Sequence, residues 1–366
     1  MPSRCLADGG GAAASPRRRL SAEVARGVVE RATSAPSIHN TQPWRFVFTG
    51  GGLELYADPA RRLAVADPDA RQLHISCGAV LHAATLLLRA EVGPVRLRLL
   101  PDPARPDLLA WIETGPGDAS RQPSPPIQLG PAAAGDAALL AALPRRHTQR
   151  GRFEPRRLPQ PLLTSLAHAA AAEGCRLRFV VRPGERLGVA YLVGLADRLQ
   201  EQDPACQAEL WGWSRFDDAA RDGIPRSAVR GRRLTGPATF LQRDFDVDGS
   251  AALAGPTSPT SRAELMAGGR EPEDPDIVVL YSRGDIAGEW LRTGMALHRV
   301  LLVATAAGVA TSLLNQPVEL PALRAQLRNE LRIDGHPQAL LRLGYAPPAP
   351  PTPRRPVDDV LQIARE

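Results

Sequence analysis

Arg146-His147-Thr148-Gln149-Arg150 is the stretch that decides the reading of this chain. In an extended segment every second side chain points the same way, so Arg146, Thr148 and Arg150 would offer cation, hydroxyl and cation on one face. Planar guanidinium forks take phosphate oxygens in pairs, and a hydroxyl between them suits a polyhydroxyl chain. Taken alone the stretch fits a solvated basic loop equally well. Its meaning depends on what stands opposite.

A hundred residues earlier runs Ser34-Ala35-Pro36-Ser37-Ile38-His39-Asn40-Thr41-Gln42-Pro43-Trp44, a polar loop that leads into a strand. Asn40 has both a donor and an acceptor, which suits a pyrimidine edge. Trp44 reads as core. Together the two stretches predict a bound flavin nucleotide. They resemble the flavin-binding segments of the nitroreductase family, an Arg-x-Ser-x-Lys/Arg strand and a Pro-Ser-x-x-Asn-x-Gln-Pro-Trp loop. The arrangement is similar to the Acg-like branch, in which one chain carries two nitroreductase-like halves, and the resemblance spans about residues 21–366.

That resemblance implies an α+β, nitroreductase-like fold with two internally related halves that mimic the family dimer. The halves would be 21–140 and 141–366, after a disordered tail at 1–20. It also implies FMN at the seam. The phosphate would sit on Arg146 and Arg354, the latter within Pro353-Arg354-Arg355-Pro356, and the ribityl chain on Thr148. Pro36, Ser37 and Asn40 would approach the ring, and Arg150 would stand near the edge where a reduced flavin gathers negative charge. The family's Gly-Leu-x-Ser-x-Pro-x-Glu-Gly turn maps onto Gly308 to Gln316. Here Leu313 replaces the proline and Asn315-Gln316 replace Glu-Gly, although a backbone N–H at Gln316 can still face flavin N5.

Composition narrows the alternatives. The chain has 366 residues, 43% of them hydrophobic, enough for a large core. No apolar run is expected to reach membrane-spanning length, and residues 1–15 lack the apolar core of a signal peptide. All 45 basic residues are arginine. The absence of lysine excludes Schiff-base chemistry and a P-loop lysine. The net charge of +6 is spread along the chain and aromatics are only 4%, so nucleic-acid binding is a weak reading. Four scattered cysteines without a Cys-x-x-Cys fit a reduced, cytoplasmic protein. The histidines form no metal-ligand pattern, and His82 and His298 read as core. Any hard chemistry must therefore come from a cofactor.

Hydrophobic periodicity predicts helices over 21–33, 72–91, 161–173, 288–307 and 321–331. It predicts strands over 44–48, 53–56, 95–100, 108–113, 176–181 and 339–345. A Pro/Gly/Ser-rich stretch at 115–135 reads as a linker. Two short echoes hint at a repeat: Arg45-Phe46-Val47 with Arg178-Phe179-Val180, and Gly78-Ala79-Val80-Leu81-His82 with Gly294-Met295-Ala296-Leu297-His298. Region 203–262 has no counterpart in the first half and reads as a loop or lid. The resemblance implies ping-pong reduction of nitroaromatic or quinone-like small molecules by NAD(P)H, in a monomer. The alternative is a protein that stores or sequesters FMN with little turnover, with 203–262 blocking the ring.

Overall fold

The computed structural model describes residues 20–114, 126–133, 135–217, 219–225 and 273–364. The expected tail, residue 20 apart, and residues 218 and 226–262 of the expected 203–262 loop or lid lie outside them. The chain runs α1 (Ala22–Ala32), β1 (Trp44–Phe48), β2 (Gly52–Ala57), α2 (Arg71–Val92), β3 (Val95–Leu99), β4 (Leu108–Thr114), β5 (Ile127–Leu129) and α3 (Asp136–Ala142). It continues α4 (Gln160–Ala171), β6 (Arg176–Val180), α5 (Pro183–Gln202), α6 (Pro204–Gly212), β7 (Ser214–Arg215) and β8 (Ile224–Pro225). It closes with β9 (Asp276–Ser282), α7 (Ala287–Ala306), β10 (Ala310–Leu313), α8 (Gln316–Glu319), α9 (Pro321–Glu330), β11 (His336–Gly344), α10 (Val357–Val360) and β12 (Leu361–Ile363).

Local chemistry explains the boundaries. Ser21 caps α1 by accepting the Val24 N–H at 3.2 Å, and Ala25, Val28, Val29 and Ala32 form its buried stripe. Strand β1 alternates Trp44, Phe46 and Phe48 inward. At the start of α2 the Asp67 carboxylate accepts from the Gln72 and Leu73 amides at 2.9 and 2.8 Å. Those amides have no helical acceptor of their own.

The two main sheets share one topology. The first has the order β12-β1-β2-β4-β3-β5 and the second β10-β11-β9-β6. Read from its first strand, each half is arranged first-second-fourth-third, antiparallel throughout, with its long helix between the second and third strands. The Arg-Phe-Val echo falls on equivalent strands, β1 and β6. The long helices α2 and α7 cross between the sheets at Gly78 and Gly294. A Cβ on Gly78 would lie 2.9 Å from the Gly294 Cα, and one on Gly294 would lie 2.7 Å from the Gly78 Cα, so only glycine permits this approach. One turn further on, the rings of His82 and His298 meet.

Several expectations need correction. The 115–135 linker contains β5, paired with β3, while 115–125 lies outside the described residues. Helix α5, like the described residues between 203 and 225, has no first-half equivalent. The boundary at residue 141 does not hold in space, because β12 pairs in parallel with β1 and α10 packs beside it. Helix α2 is long and apolar enough to cross a membrane by length and composition, yet it is buried between the two sheets.

Candidate functional site

The ten residues singled out from sequence converge on one cleft at the seam, open to solvent, with a cavity of about 150 Å³. Pro36, Ser37 and Asn40 come from the turn after α1, and Arg146, Thr148 and Arg150 from the segment after α3. Leu313, Asn315 and Gln316 come from the β10–α8 turn, and Arg354 from the C-terminal segment. Residues 146–150 do not form a regular strand. A single bridge joins Thr148 to Thr311, and the Gln149 N–H donates to Thr311 O at 2.7 Å. The alternation is nevertheless present, since Gln149 turns away and donates to Pro347 O at 2.6 Å.

Three arginines dominate the electrostatics. Arg146 is 3% exposed, its Nη2 donates to Ser34 O at 2.9 Å, and its Nε is buried without a hydrogen-bond partner. Arg354 donates to Thr33 O at 2.8 Å, to Ser34 O at 3.1 Å and to Asn40 Oδ1 at 3.0 Å. Two guanidinium groups thus meet on one carbonyl at the negative end of α1. Burial, then the charges of Arg354 and Arg150, brings Arg146 down to about 9, and burial with Arg150 brings Arg354 down to about 10. Burial also lowers Arg150. Arg146 and Arg354 stay charged at neutral pH. Among the described residues no carboxylate forms an ion pair with any of the three, so the cleft carries positive charge that no acidic side chain offsets by direct pairing.

The 34–44 loop is held in a costly shape. His39, Asn40 and Gln42 have φ of 45°, 54° and 49°, left-handed values that each cost a non-glycine residue roughly 1–3 kcal/mol. Ser37 Oγ accepts the Gln42 N–H at 2.9 Å, and Ser76 Oγ accepts the Ile38 N–H at 3.1 Å. Asn40 is fully engaged: its Oδ1 accepts from Arg354, and its Nδ2 donates to Gly223 O at 3.0 Å and Pro353 O at 3.1 Å. It therefore braces the cleft and does not present a free amide to it, unlike the pyrimidine-edge role expected from sequence. Gln42 Nε2 donates to Arg221 O at 2.9 Å, and its Oε1 accepts the Arg355 N–H at 2.9 Å.

The described part of the 203–262 region docks on the first half. Glu209 accepts from the Val65 and Ala66 amides at 3.0 and 2.8 Å, and Asp222 bonds Arg61 and Arg215, both at 2.9 Å. Trp213 lies beneath Arg61 and Arg215, whereas Trp211 is exposed beside Phe216. This strap delivers Ile224 to the cleft wall. Sequence reasoning also missed Ile38, His39, Ser312, Leu314, Glu319 and Thr352 in the lining. Most adjoin residues already singled out, but nothing local marks Ile224, whose place depends on a strap joining two halves.

In the β10–α8 turn, Asn315 Oδ1 accepts the Leu340 N–H at 3.1 Å and Gln316 Nε2 donates to Asp197 Oδ1 at 3.1 Å. Gln316 opens α8, so its own N–H has no acceptor within that helix.

The whole-chain likeness to its relatives defines a class: this chain belongs to the nitroreductase family. It is 32% identical over 377 residues to a Mycobacterium tuberculosis protein named "Putative NAD(P)H nitroreductase Rv3131", covering 98% of this chain and 97% of that one. It is 30% identical over 352 residues to Acg of the same organism, named likewise, covering 95% and 98%. Among solved structures, the FMN-dependent nitroreductase NfnB from Mycobacterium smegmatis in complex with NADPH matches at 14% identity and TM-score 0.36, covering 63% of this chain and 99% of that one. An FMN-bound nitroreductase from Bacteroides fragilis matches at 14% identity and TM-score 0.34, covering 57% and 88%. No family model matches the chain.

Proposed function

We propose that this protein binds one FMN in the seam cleft and uses it as an NAD(P)H-dependent oxidoreductase toward nitroaromatic or quinone-like small molecules. The carrying observation is the set of three arginines, Arg146 buried and Arg150 and Arg354 half-buried, with no carboxylate partner among the described residues, which suits a phosphate dianion. Arg146, with its unpartnered Nε, and Arg354 would hold the phosphate, and Thr148 the ribityl hydroxyls. Arg150 would stabilise negative charge at the pyrimidine edge of the ring. Asn40 serves indirectly by fixing Arg354, and Pro36 and Ser37 shape the loop. When bound, the flavin supplies hydride transfer through N5, and the chain supplies orientation and a cationic site.

The shared strand order and the Gly78–Gly294 and His82–His298 meetings support a further part of this reading. The chain represents two nitroreductase-like halves fused into one polypeptide, which would let a monomer supply both walls of the cleft.

A second reading, storage or sequestration of FMN, is favoured by the docked strap that sets Ile224 in the wall. The deciding experiment is the absorption spectrum of purified protein followed by anaerobic NADPH. Flavin bands at one per chain that bleach within seconds support the reductase. Bands that persist support sequestration. A colourless protein that stays colourless with added FMN refutes both.

A further inference from the structure

We propose that Arg71, the first residue of α2, is a positioning residue for the cleft: its guanidinium reaches across the seam and fixes the backbone of the 313–319 turn. Arg71 is 7% exposed, and its partners are oxygens of the second half. Its Nη1 donates to Gln338 Oε1 at 3.0 Å and Gln338 O at 3.2 Å, and its Nη2 donates to Val318 O in α8. The direct partners of Arg71 are neutral oxygens, and burial pulls it down to about 10 even with the carboxylates of Asp67, Asp285 and Glu319 nearby, so the charge is held at a cost. What the fork adds is geometry, because one rigid plane ties two strands of backbone together.

Both ends of this link are themselves fixed. Asp67 caps α2, and Ala70, immediately before Arg71, is held at φ 57°. Gln338 is 0% exposed. Its Oε1 accepts from Arg71 and from Arg324 at 3.1 Å, while its Nε2 donates to Ser282 Oγ at 2.8 Å and Asp285 Oδ1 at 3.1 Å. The amide cannot turn over without losing all four bonds. The turn receives its other tethers from the second half: Asn315 to Leu340, Gln316 to Asp197, and Glu319 to Gln200 at 2.8 Å. Leu313 ends β10 opposite Leu341 and Pro317 fixes one φ in the turn, and the rest of its stiffness comes from such tethers. Among the described residues Arg71 supplies the side-chain tether from the first half, and it makes the cleft wall answer to the packing of the seam.

The test is hydrogen exchange on the cofactor-free chain, comparing wild type with Arg71→Met and Arg71→Lys. Losing two or three buried hydrogen bonds should speed exchange of the 313–320 peptide by at least about tenfold in both variants, with the seam peptide 78–86 unchanged. Lysine should not rescue, because one ammonium cannot span the Val318 and Gln338 oxygens. Unchanged exchange at 313–320, or full protection restored by lysine, overturns the proposal. If the methionine variant exchanges throughout, the lysine variant carries the test, and general loss of protection there also overturns it. A second arm rests on the flavin reading. In Arg71→Lys the FMN Kd should change by less than about threefold while bleaching by NADPH slows at least about tenfold. Colourless wild-type protein would sink the flavin reading and leave the exchange result standing.

Discussion

His82 and His298, 216 positions apart, face each other with Nδ1 3.0 Å from Nδ1 in the buried crossing of α2 and α7. One must donate and the other accept, so the accepting ring is neutral. Burial, with the nearby Arg299 and Arg89, pulls His82 down to about 3, and burial with His82 and Arg146 pulls His298 well below its usual value. The sign follows from linkage. Below about pH 6.5 the unfolded chain takes protons that the folded pair refuses, so stability falls as the medium is acidified. Each proton contributes a slope of about 1.4 kcal/mol per pH unit. Urea midpoints should drop steadily from pH 7 to pH 4, and His82→Asn/His298→Asn should flatten that dependence.

The phosphate end of the cleft can be tested without turnover. Arg146→Ala should weaken FMN by about 1.5–3 kcal/mol, roughly ten- to a hundredfold in Kd. Riboflavin, which lacks the phosphate, should lose little. Titration by flavin fluorescence reads both. Equal losses for the two ligands would mean that Arg146 acts on the loop through Ser34 and does not meet the phosphate.

Gly294→Ala places a methyl group against Ile75 O and the Gly78 backbone. Backbone cannot yield as a flexible side chain can, so a loss of about 1–3 kcal/mol or more is expected. Thermal unfolding measures it. Gly27→Ala, where a Cβ meets nothing within 4 Å, is the control and should be neutral or mildly stabilising.

Asp222→Ala removes the half-buried link from the strap to Arg61 and Arg215. Limited proteolysis within 213–225 should accelerate several-fold while global unfolding changes by about 1 kcal/mol or less. If the strap obstructs the ring, bleaching by NADPH should quicken in the same variant.

Much of this was legible in the sequence because the informative signals were local. Alternation placed Arg146, Thr148 and Arg150 on one side, and the helix pattern around Gly78 and Gly294 gave the two crossing helices. What escaped depends on contacts between distant segments. Asn40 looks like a ligand-facing amide until Arg354 and Gly223, 314 and 183 positions away, are seen to consume it. Strands β5 and β12 are three residues each and take their conformation from the neighbours they pair with, so no periodicity announces them.

The pairing of β12 with β1 also bears on how the chain is made. Phe46 waits for Leu361, synthesised 315 positions later, before the outer edge of the first sheet is closed. During synthesis that edge is an open template carrying Phe46 and Phe48, able to recruit a strand from another nascent chain. The order of translation therefore exposes the first half to misassembly for the longest time, and over-expression should challenge the first half sooner than heat does.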